Sequence, residues 1–267
     1  MDLGGTWVRA LALAGGRPAG RIDLRASSDV ARLLDAAWRR RKWHGRVAAL
    51  VVAARGVWSV AERRALAARL RSLAPRVQVL ADAQAALLGA LGDRPGLLVL
   101  AGTGSIVVGR DARGRWVRAG GLGPLIGDEG SGFWLGRQWL RAHLDARGEV
   151  TARRLATTPD AVARIAALAP RVLARAGAGD RKARTVVQDG QRALAAQGVV
   201  VARRLGLRAP IDATWAGSLM ATSMYRVGVL RAAARAGLRA RWRPPIAEPV
   251  VAAARLASAL VRPPRSR

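Results

Sequence analysis

The sequence predicts an α/β protein made of two similar lobes with a cleft between them. The first observation is a Gly-Thr hairpin motif that occurs twice, about a hundred residues apart, at residues 2–6 (Asp-Leu-Gly-Gly-Thr) and 100–105 (Leu-Ala-Gly-Thr-Gly-Ser). The second observation is that helical and strand-like segments follow each hairpin in the same alternating order. Right-handed crossovers between such segments give a mixed sheet with helices on both faces. The repeated order therefore predicts two sheets of this kind.

The first half of the chain predicts a short strand, a hairpin and then alternating helices and strands. Because the sequence starts at Met1-Asp2, we expect the first strand to be truncated. Asp29 is typical of a helix start, and apolar residues follow it at helical spacing. The predicted elements are hairpin strands at 7–13 and 21–25, a helix from residue 30, a buried strand at 46–52, a helix at 61–73, a strand at 77–80 and a helix at 83–91.

The second half repeats this order and adds a helical insertion. We expect a strand at 97–100, a hairpin that continues to residue 119, a helix at 131–146, a long helical segment at 159–205, a strand at 211–215 and helices at 225–236 and 250–260. The predicted N-terminal lobe is residues 1–95. The predicted C-terminal lobe is residues 96–267, with the insertion at about 150–208.

Length and composition bound the functional class. The chain has 267 residues, 51% of them hydrophobic, and a mean hydropathy of +0.10, as expected of a folded protein. It has no apolar run long enough to span a bilayer and no signal-peptide pattern, so we expect a cytoplasmic protein without membrane contact. The absence of cysteine excludes disulfides, thiolate metal sites, iron–sulfur clusters and a cysteine nucleophile.

The net charge of +29 raises the alternative of a nucleic-acid surface. The positive residues are spread over nearly every predicted helix, and all except Lys42 and Lys182 are arginines. Enrichment of arginine together with alanine, glycine and leucine indicates a coding bias that fills solvated faces. Nucleic acid is therefore not the expected partner, although this charge would attract anionic substrates and ATP.

Each glycine hairpin can bind phosphate. A strand, a glycine turn that exposes backbone N–H groups and a second strand together form a phosphate cradle. Two such cradles, one in each half, predict a nucleotide bound from both sides. The alternative for either hairpin alone is an ordinary turn.

Five motifs in order carry a resemblance to a known family. They are Asp-Leu-Gly-Gly-Thr at 2–6, Ala-Asp-Ala at 81–83, Gly-Thr-Gly-Ser at 102–105, Gly-Gly-Leu-Gly at 120–123 and Gly-Asp-Glu-Gly-Ser-Gly at 127–132. The chain resembles the N-acetylglucosamine kinase-like branch of the sugar kinase, actin and heat-shock-chaperone superfamily, which is grouped with the BadF/BadG/BcrA/BcrD ATPases. The resemblance implies two ribonuclease-H-like lobes with mixed five-stranded sheets and an interlobe cleft. It also implies an ATP-dependent kinase that phosphorylates an amino sugar such as N-acetylglucosamine, with ATP and Mg²⁺ as cofactors.

The resemblance also implies the roles of individual residues. Asp82 would be the general base that takes the proton from the sugar hydroxyl, and Asp2 would hold magnesium through water. The implied ATP-binding residues are Gly4, Gly5, Thr6, Gly102, Thr103, Gly104, Ser105, Gly217, Ser218 and Thr222. The implied sugar-binding residues are Gly121, Leu122, Gly123 and Asp128, together with Asp82.

Several of these residues also have a structural interpretation. Asp82 could be a helix N-cap, which Asp favours, and Glu129 could cap the helix that follows it. Phe133 and Trp134 are expected in the core, whereas Trp58 could border the cleft. His44 and His143 have no partner at metal-ligand or catalytic-triad spacing, and we expect surface roles for both.

Three other functions compete with a kinase. An activator ATPase of this fold carries a cysteine-held iron–sulfur cluster, and a sugar-kinase-like transcription regulator carries an added helix-turn-helix; the chain has neither feature. The remaining alternative is a non-catalytic relative that binds a sugar or a nucleotide as a sensor. The sequence leaves open which sugar and which hydroxyl react, and whether the protein is a monomer or a homodimer.

Overall fold

The computed structural model describes residues 1–4, 7–27, 29–144, 146–245 and 247–261. These residues form two five-stranded sheets with helices, as the sequence predicts. The chain divides into two compact units. Unit 1 comprises Met1–Gly92 and Pro245–Arg267, and unit 2 comprises Asp93–Pro244.

Unit 1 contains the first sheet, in the strand order β3-β2-β1-β4-β5. Strands β1, β4 and β5 are parallel, and β2 and β3 form an antiparallel hairpin next to β1. The elements are β1 (Asp2–Leu3), β2 (Trp7–Ala14), β3 (Arg17–Arg25), α1 (Val30–Arg41), β4 (Ala49–Ala54), α2 (Val60–Arg69), β5 (Arg76–Ala81) and α3 (Asp82–Leu91).

Local sequence explains where the helices of unit 1 begin and end. The Asp29 carboxylate accepts a hydrogen bond from the Arg32 amide and starts α1. Ser59 and Glu62 form a reciprocal capping box at the start of α2. Helix α2 ends at Arg69, before the predicted end at residue 73, because Leu70 leaves the helical conformation and packs into the core.

Strand β1 has two residues, whereas its neighbours β2 and β4 have eight and six. Asp2 and Leu3 pair with Arg9 and Val8 of β2 on one side and with Ala53 and Ala54 of β4 on the other. Met1, residues 10–14 of β2 and residues 49–51 of β4 line a cavity of about 820 Å³. This cavity therefore adjoins β1 between its two neighbouring strands.

Unit 2 contains the second sheet, in the order β10-β9-β6-β7-β8. Strands β6, β9 and β10 are parallel, while β7 and β8 continue antiparallel from β6. The elements are β6 (Gly96–Ala101), β7 (Ser105–Arg110), β8 (Trp116–Gly120), α4 (Gly132–Arg141), α5 (Ala146–Ala156), α6 (Ala161–Ala166), α7 (Ala169–Gly177), α8 (Arg181–Leu205), β9 (Ile211–Ala216), α9 (Ser218–Ala221), α10 (Ser223–Arg235) and β10 (Ala240–Arg243).

The 25-residue helix α8 packs across the second sheet and is central to the core of unit 2. Gly109 of β7 permits this approach, since a Cβ atom there would lie 2.7–2.8 Å from side-chain atoms of Leu205, Leu97 and Val201. The predicted helical insertion is four separate helices, α5 to α8, in the described residues. Pro170 lies in the first turn of α7, where proline is tolerated.

The last helix, α11 (Pro249–Val261), belongs to unit 1. Ala253 is fully buried in a cluster with Val51 and Ala53 of β4, Leu80 of β5 and Ala85 of α3. The sequence predicts one lobe over residues 96–267, whereas in the structure α11 belongs to unit 1. None of the described helices is both long and apolar enough to cross a membrane.

Candidate active site

The loops after β1, β4 and β5 lie at one edge of the first sheet. The register pairs Leu3 with Ala54 and Ala54 with Ala81, so the three parallel strands end side by side. Gly4, Arg55 and Asp82 are the residues that follow these three strands. The carboxyl edge of a parallel sheet is where α/β proteins place their sites.

Asp82 is the first residue of α3 and not its N-cap, which is Ala81. Its Oδ1 atom accepts a hydrogen bond of 2.7 Å from the adjacent Ala83 amide. Burial raises the pKa of the Asp82 carboxyl, while the Ala83 amide and the positive charge of Arg55 oppose this rise. The carboxylate is thus partly withdrawn from water and has a higher proton affinity than an ordinary Asp.

Asp2 is a second carboxylate at this edge of unit 1, and it is buried, with 9% of the residue exposed. Its pKa is raised, first by burial and then by the negative charges of Asp82 and Glu248. The guanidinium of Arg9 opposes this shift, and its Nη1 atom lies 3.8 Å from Asp2 Oδ2. The electrostatic effect of Asp82 on Asp2 supports placing both carboxylates in one local environment.

The residues of unit 1 fit a magnesium ion that keeps most of its water. In the described part of the chain, no group of three or more His, Asp or Glu side chains is arranged to hold a metal ion. Mg²⁺ commonly binds through only one or two protein carboxylates and retains several waters. Asp2 provides one such carboxylate, and Arg9 is positioned to compete with a cation for it.

One amide of the first glycine turn donates a hydrogen bond within the hairpin itself. The Gly4 amide donates to the Trp7 carbonyl at 2.9 Å, which closes the turn between β1 and β2. Gly4 therefore contributes here to the shape of the turn. Gly5 and Thr6, the other two predicted phosphate contacts of this hairpin, lie outside the described residues.

The second glycine turn is fixed from two sides. The Gly102 amide donates to the Gly104 carbonyl at 2.9 Å, and the Gly102 and Thr103 carbonyls accept hydrogen bonds from the first two amides of α4. Ser105 is 3% exposed, and its hydroxyl donates to the Glu129 carbonyl at 2.8 Å. The exposed hydroxyl of this turn is therefore that of Thr103.

A second loop of unit 2 lies against this turn. Gly217 precedes α9 with φ +95° and ψ 154°, and a Cβ atom there would lie 2.3 Å from the Ala101 carbonyl oxygen. A Cβ atom on Gly102 would lie 3.5 Å from Ser218 Oγ. The structure thus brings together two of the predicted ATP-binding segments. Thr222, the third predicted residue of this loop, is exposed between α9 and α10.

Four of the five predicted sugar-binding residues, all except Asp82, lie in one loop after β8. Gly121 and Gly123 have positive φ angles, as does Asp128 at +59°. Asp128 is buried, with 4% of the residue exposed. Its carboxylate accepts a hydrogen bond from the Gly123 amide at 3.3 Å. Asp128 therefore closes the loop, while Leu122 is 58% exposed on it.

The residues that had a structural interpretation in the sequence make identifiable contacts. Ser131 caps α4, since its Oγ atom accepts from the Trp134 amide; Glu129 instead accepts a side-chain hydrogen bond from Gln197. Phe133 is buried and Trp134 packs against the core, as expected. His44 lies 3.3 Å from Asp35, and His143 contacts Trp139. Trp58 is half-buried beside the start of α2.

Sequence reasoning missed Arg9 and Arg55, the two cations of the carboxylate environment in unit 1. Arg9 lies on β2 opposite Asp2 of β1, because the register of the two antiparallel strands pairs these residues. Arg55 immediately follows the buried strand β4. The position of Arg55 after a predicted parallel strand was a signal in the sequence. Arg9 had no such signal among the many arginines of the chain.

Comparison with known proteins places the chain in a family. A stretch of 79 residues, 28% of this chain, is 47% identical to the N-acetylmuramic acid/N-acetylglucosamine kinase of Clostridium acetobutylicum. A stretch of 62 residues, 23% of this chain, is 42% identical to the N-acetyl-D-glucosamine kinase of Dictyostelium discoideum. These stretches span 26% and 19% of the two relatives' own lengths.

The fold has a close counterpart among solved structures. A Chromobacterium violaceum protein assigned as an N-acetylglucosamine kinase matches with a TM-score of 0.69 and 25% identity, over 96% of each chain. The family model for BadF/BadG/BcrA/BcrD ATPases matches residues 2–253. The chain therefore belongs to the BadF/BadG/BcrA/BcrD ATPase family.

Proposed function

We propose that this protein is an ATP-dependent sugar kinase that transfers the γ-phosphate of ATP to a hydroxyl of an amino sugar such as N-acetylglucosamine. The observation that carries the proposal is the pair of carboxylates near the carboxyl edge of the first sheet, half-buried Asp82 and buried Asp2. Membership of an ATPase family supports ATP as the phosphoryl donor. The names of the relatives support an amino sugar as the acceptor.

Asp82 acts as the general base in this proposal. Its carboxylate accepts the proton of the sugar hydroxyl as that oxygen bonds to the γ-phosphorus, and ADP leaves with the electrons of the broken P–O bond. The raised pKa of Asp82 suits this role, because a base with a higher proton affinity accepts a hydroxyl proton more readily. The hydrogen bond from the Ala83 amide to Oδ1 holds the carboxylate in one orientation during this step.

The glycine turns bind and orient the nucleotide. Phosphoryl transfer depends mainly on positioning and on neutralising the phosphate charge. Gly102, Thr103 and Gly104 present a turn with an exposed hydroxyl, and the Gly217–Ser218 loop packs against it. Mg²⁺ bound near Asp2 would neutralise phosphate charge.

The loop from Gly121 to Asp128 is the proposed sugar-binding segment. Its shape depends on the hydrogen bond from the Gly123 amide to the buried Asp128 carboxylate. Glycines without side chains allow a sugar ring to approach the backbone closely.

Coupled measurement of ADP release with a panel of sugars tests the proposal. The panel should include N-acetylglucosamine, N-acetylmuramic acid, glucosamine and glucose. We expect an amino sugar to stimulate ADP release, and Asp82→Asn to lower kcat by about 10²–10⁴-fold, the usual value of general-base help. Asp29→Asn is a matched control, because it makes the same chemical change at the exposed helix cap of unit 1.

The sensor alternative predicts a different result. In that case isothermal titration would detect binding of ATP or a sugar, but no sugar would stimulate ADP release. Equal activity of Asp82→Asn and Asp29→Asn with a stimulating sugar would refute the role of Asp82 while leaving kinase activity intact.

A further inference from the structure

A cavity in unit 2 lies at the end of the second sheet opposite the glycine turns. Its volume is about 770 Å³, within the range of small-molecule sites. Strands β6 and β9 start beside this cavity and end at the Gly102 and Gly217 loops. Six residues of strand span roughly 20 Å. The cavity is therefore separate from the predicted nucleotide-binding loops.

The cavity is strongly cationic. Five arginines and two aspartates line it, which leaves an excess of three positive charges: Arg94, Arg113, Arg115, Arg208 and Arg241, with Asp111 and Asp212. A concave site lined by one sign of charge concentrates counterions more than a flat surface does.

The Asp111 carboxylate already accepts hydrogen bonds from residues of its own turn. Its Oδ1 atom accepts hydrogen bonds from the Arg113 amide at 3.0 Å and the Arg115 amide at 2.8 Å, and Arg115 Nε bonds to Oδ2 at 3.1 Å. These contacts lower the pKa of Asp111, led by the hydrogen bond from the Arg115 backbone. Asp111 thus neutralises Arg115 and none of the other cations by direct contact.

Asp212 is a single carboxylate shared by three guanidinium groups. Arg94 Nη1 lies 3.3 Å from it, Arg241 Nε 3.5 Å and Arg243 Nε 3.7 Å. Its buried Oδ1 atom makes no hydrogen bond to the described residues. One negative charge therefore faces three positive charges, and the arginines remain under-neutralised.

Arg113 and Arg208 complete the cationic rim. Both side chains are exposed, and within the described ranges neither has a carboxylate at ion-pair distance. The carbonyls at the end of α8 would repel an anion if they were free. They instead accept hydrogen bonds, since Gly206 and Leu207 amides bond to carbonyls of the last turn and Arg115 Nη2 bonds to the Arg204 carbonyl.

We propose that this cavity binds a small phosphorylated anion of about the size of pyrophosphate, at a site distinct from the nucleotide loops. Arginine forks match phosphate oxygens in charge and geometry. Buried Leu205 and Ile211 also line the cavity, so its lining combines apolar side chains with the cations. A natural ligand would be a phosphate ester or diphosphate whose body contacts these apolar side chains.

Isothermal titration with pyrophosphate at low salt tests the proposal. The wild-type protein should bind pyrophosphate with defined stoichiometry. The double variant Arg113→Gln/Arg208→Gln should weaken that binding by at least about tenfold, since it removes two guanidinium groups that would make charge-assisted hydrogen bonds to the phosphates. The control Arg171→Gln/Arg231→Gln removes the same charge from exposed positions of unit 2 and should change the affinity less than about twofold.

Asp212→Asn provides a test of opposite sign. It removes the carboxylate that competes for Arg94, Arg241 and Arg243, so pyrophosphate should bind more tightly than to wild type. Asp189→Asn, at a half-buried position of α8, is its charge-matched control. Equal effects of the cavity variants and their controls would overturn the proposal, and so would pyrophosphate binding that ATP fully displaces.

Discussion

Replacing Gly217 with alanine should destabilise unit 2 and impair ATP binding together. Gly217 has φ +95° and ψ 154°, a region that is essentially restricted to glycine and costs other residues about 1–3 kcal/mol. The added Cβ would also lie 2.3 Å from the Ala101 carbonyl oxygen, so the backbone at the end of β6 must move. Overpacking of this kind costs about 1–3 kcal/mol. The expected loss is therefore about 2–6 kcal/mol.

Gly102→Ala is the matched control for this substitution. A Cβ atom on Gly102 would lie 3.5 Å from Ser218 Oγ, 3.7 Å from the Ser218 amide nitrogen and 4.0 Å from Gly217 Cα, all ordinary van der Waals contacts. Both glycines lie in the same pair of packed loops, and both changes add one methyl group. We expect Gly102→Ala to cost less than about 1 kcal/mol, because neither strain nor a backbone clash accompanies it.

Thermal unfolding with and without ATP measures both effects. A loss of 2–6 kcal/mol lowers the unfolding temperature by about 2–4 °C per kcal/mol in a domain of this size. ATP at about 100 times its Kd should stabilise the wild type and Gly102→Ala by about 2.7 kcal/mol. Gly217→Ala should lose most of this gain, since Ser218 moves relative to Gly102. If Gly217→Ala unfolds like Gly102→Ala and gains equally from ATP, the inferred packing of these loops is refuted.

Three further substitutions separate structural from functional contributions at the site. Asp82→Asn should be more stable than wild type at neutral pH, because burial penalises the ionised carboxylate. This difference in stability should vanish as the pH falls through the raised pKa of Asp82 towards 3.8. Urea unfolding at a series of pH values measures the difference, and a value that stays constant with pH would contradict desolvation of the carboxylate. Ser105→Ala should cost about 1–3 kcal/mol, since it leaves the Glu129 carbonyl without its donor. Thr103→Ala, on the exposed turn, should leave stability within about 0.5 kcal/mol and weaken ATP binding; equal unfolding of the two variants would contradict the assigned burial of Ser105.

The hydrophobic pattern and the turn residues predicted most of the fold. Strands β4 and β6 read as continuous apolar runs, as strands covered on both faces do. Strand β10 could not be predicted, since its four residues alternate between arginines and an Ala or Trp at the edge of the sheet. The unit to which α11 belongs also had no local signal, because its small apolar residues would suit packing on either sheet.

The candidate site was predictable where motifs mark backbone turns, but not where side chains meet across the fold. Gly102 and Gly217 stood out in the sequence, and the structure packs their loops together. Ser105 is one of the predicted ATP-binding residues, and its hydroxyl donates to the carbonyl of Glu129, 24 residues further along the chain. Arg9 reaches Asp2 only through hairpin register. Contacts of this kind depend on tertiary packing, which local patterns do not encode.

The two carboxylates of unit 1 are better explained by chemistry than by stability. Each has its pKa raised mainly by burial, and the negative charge of Asp82 further raises that of Asp2. Buried groups of like charge oppose folding at neutral pH, when both are ionised. An isolated N-cap role would need no such burial, and Asp82 is not the N-cap of α3. A site that must bind cations and accept protons does need desolvated carboxylates, so their cost to stability supports the proposed kinase chemistry.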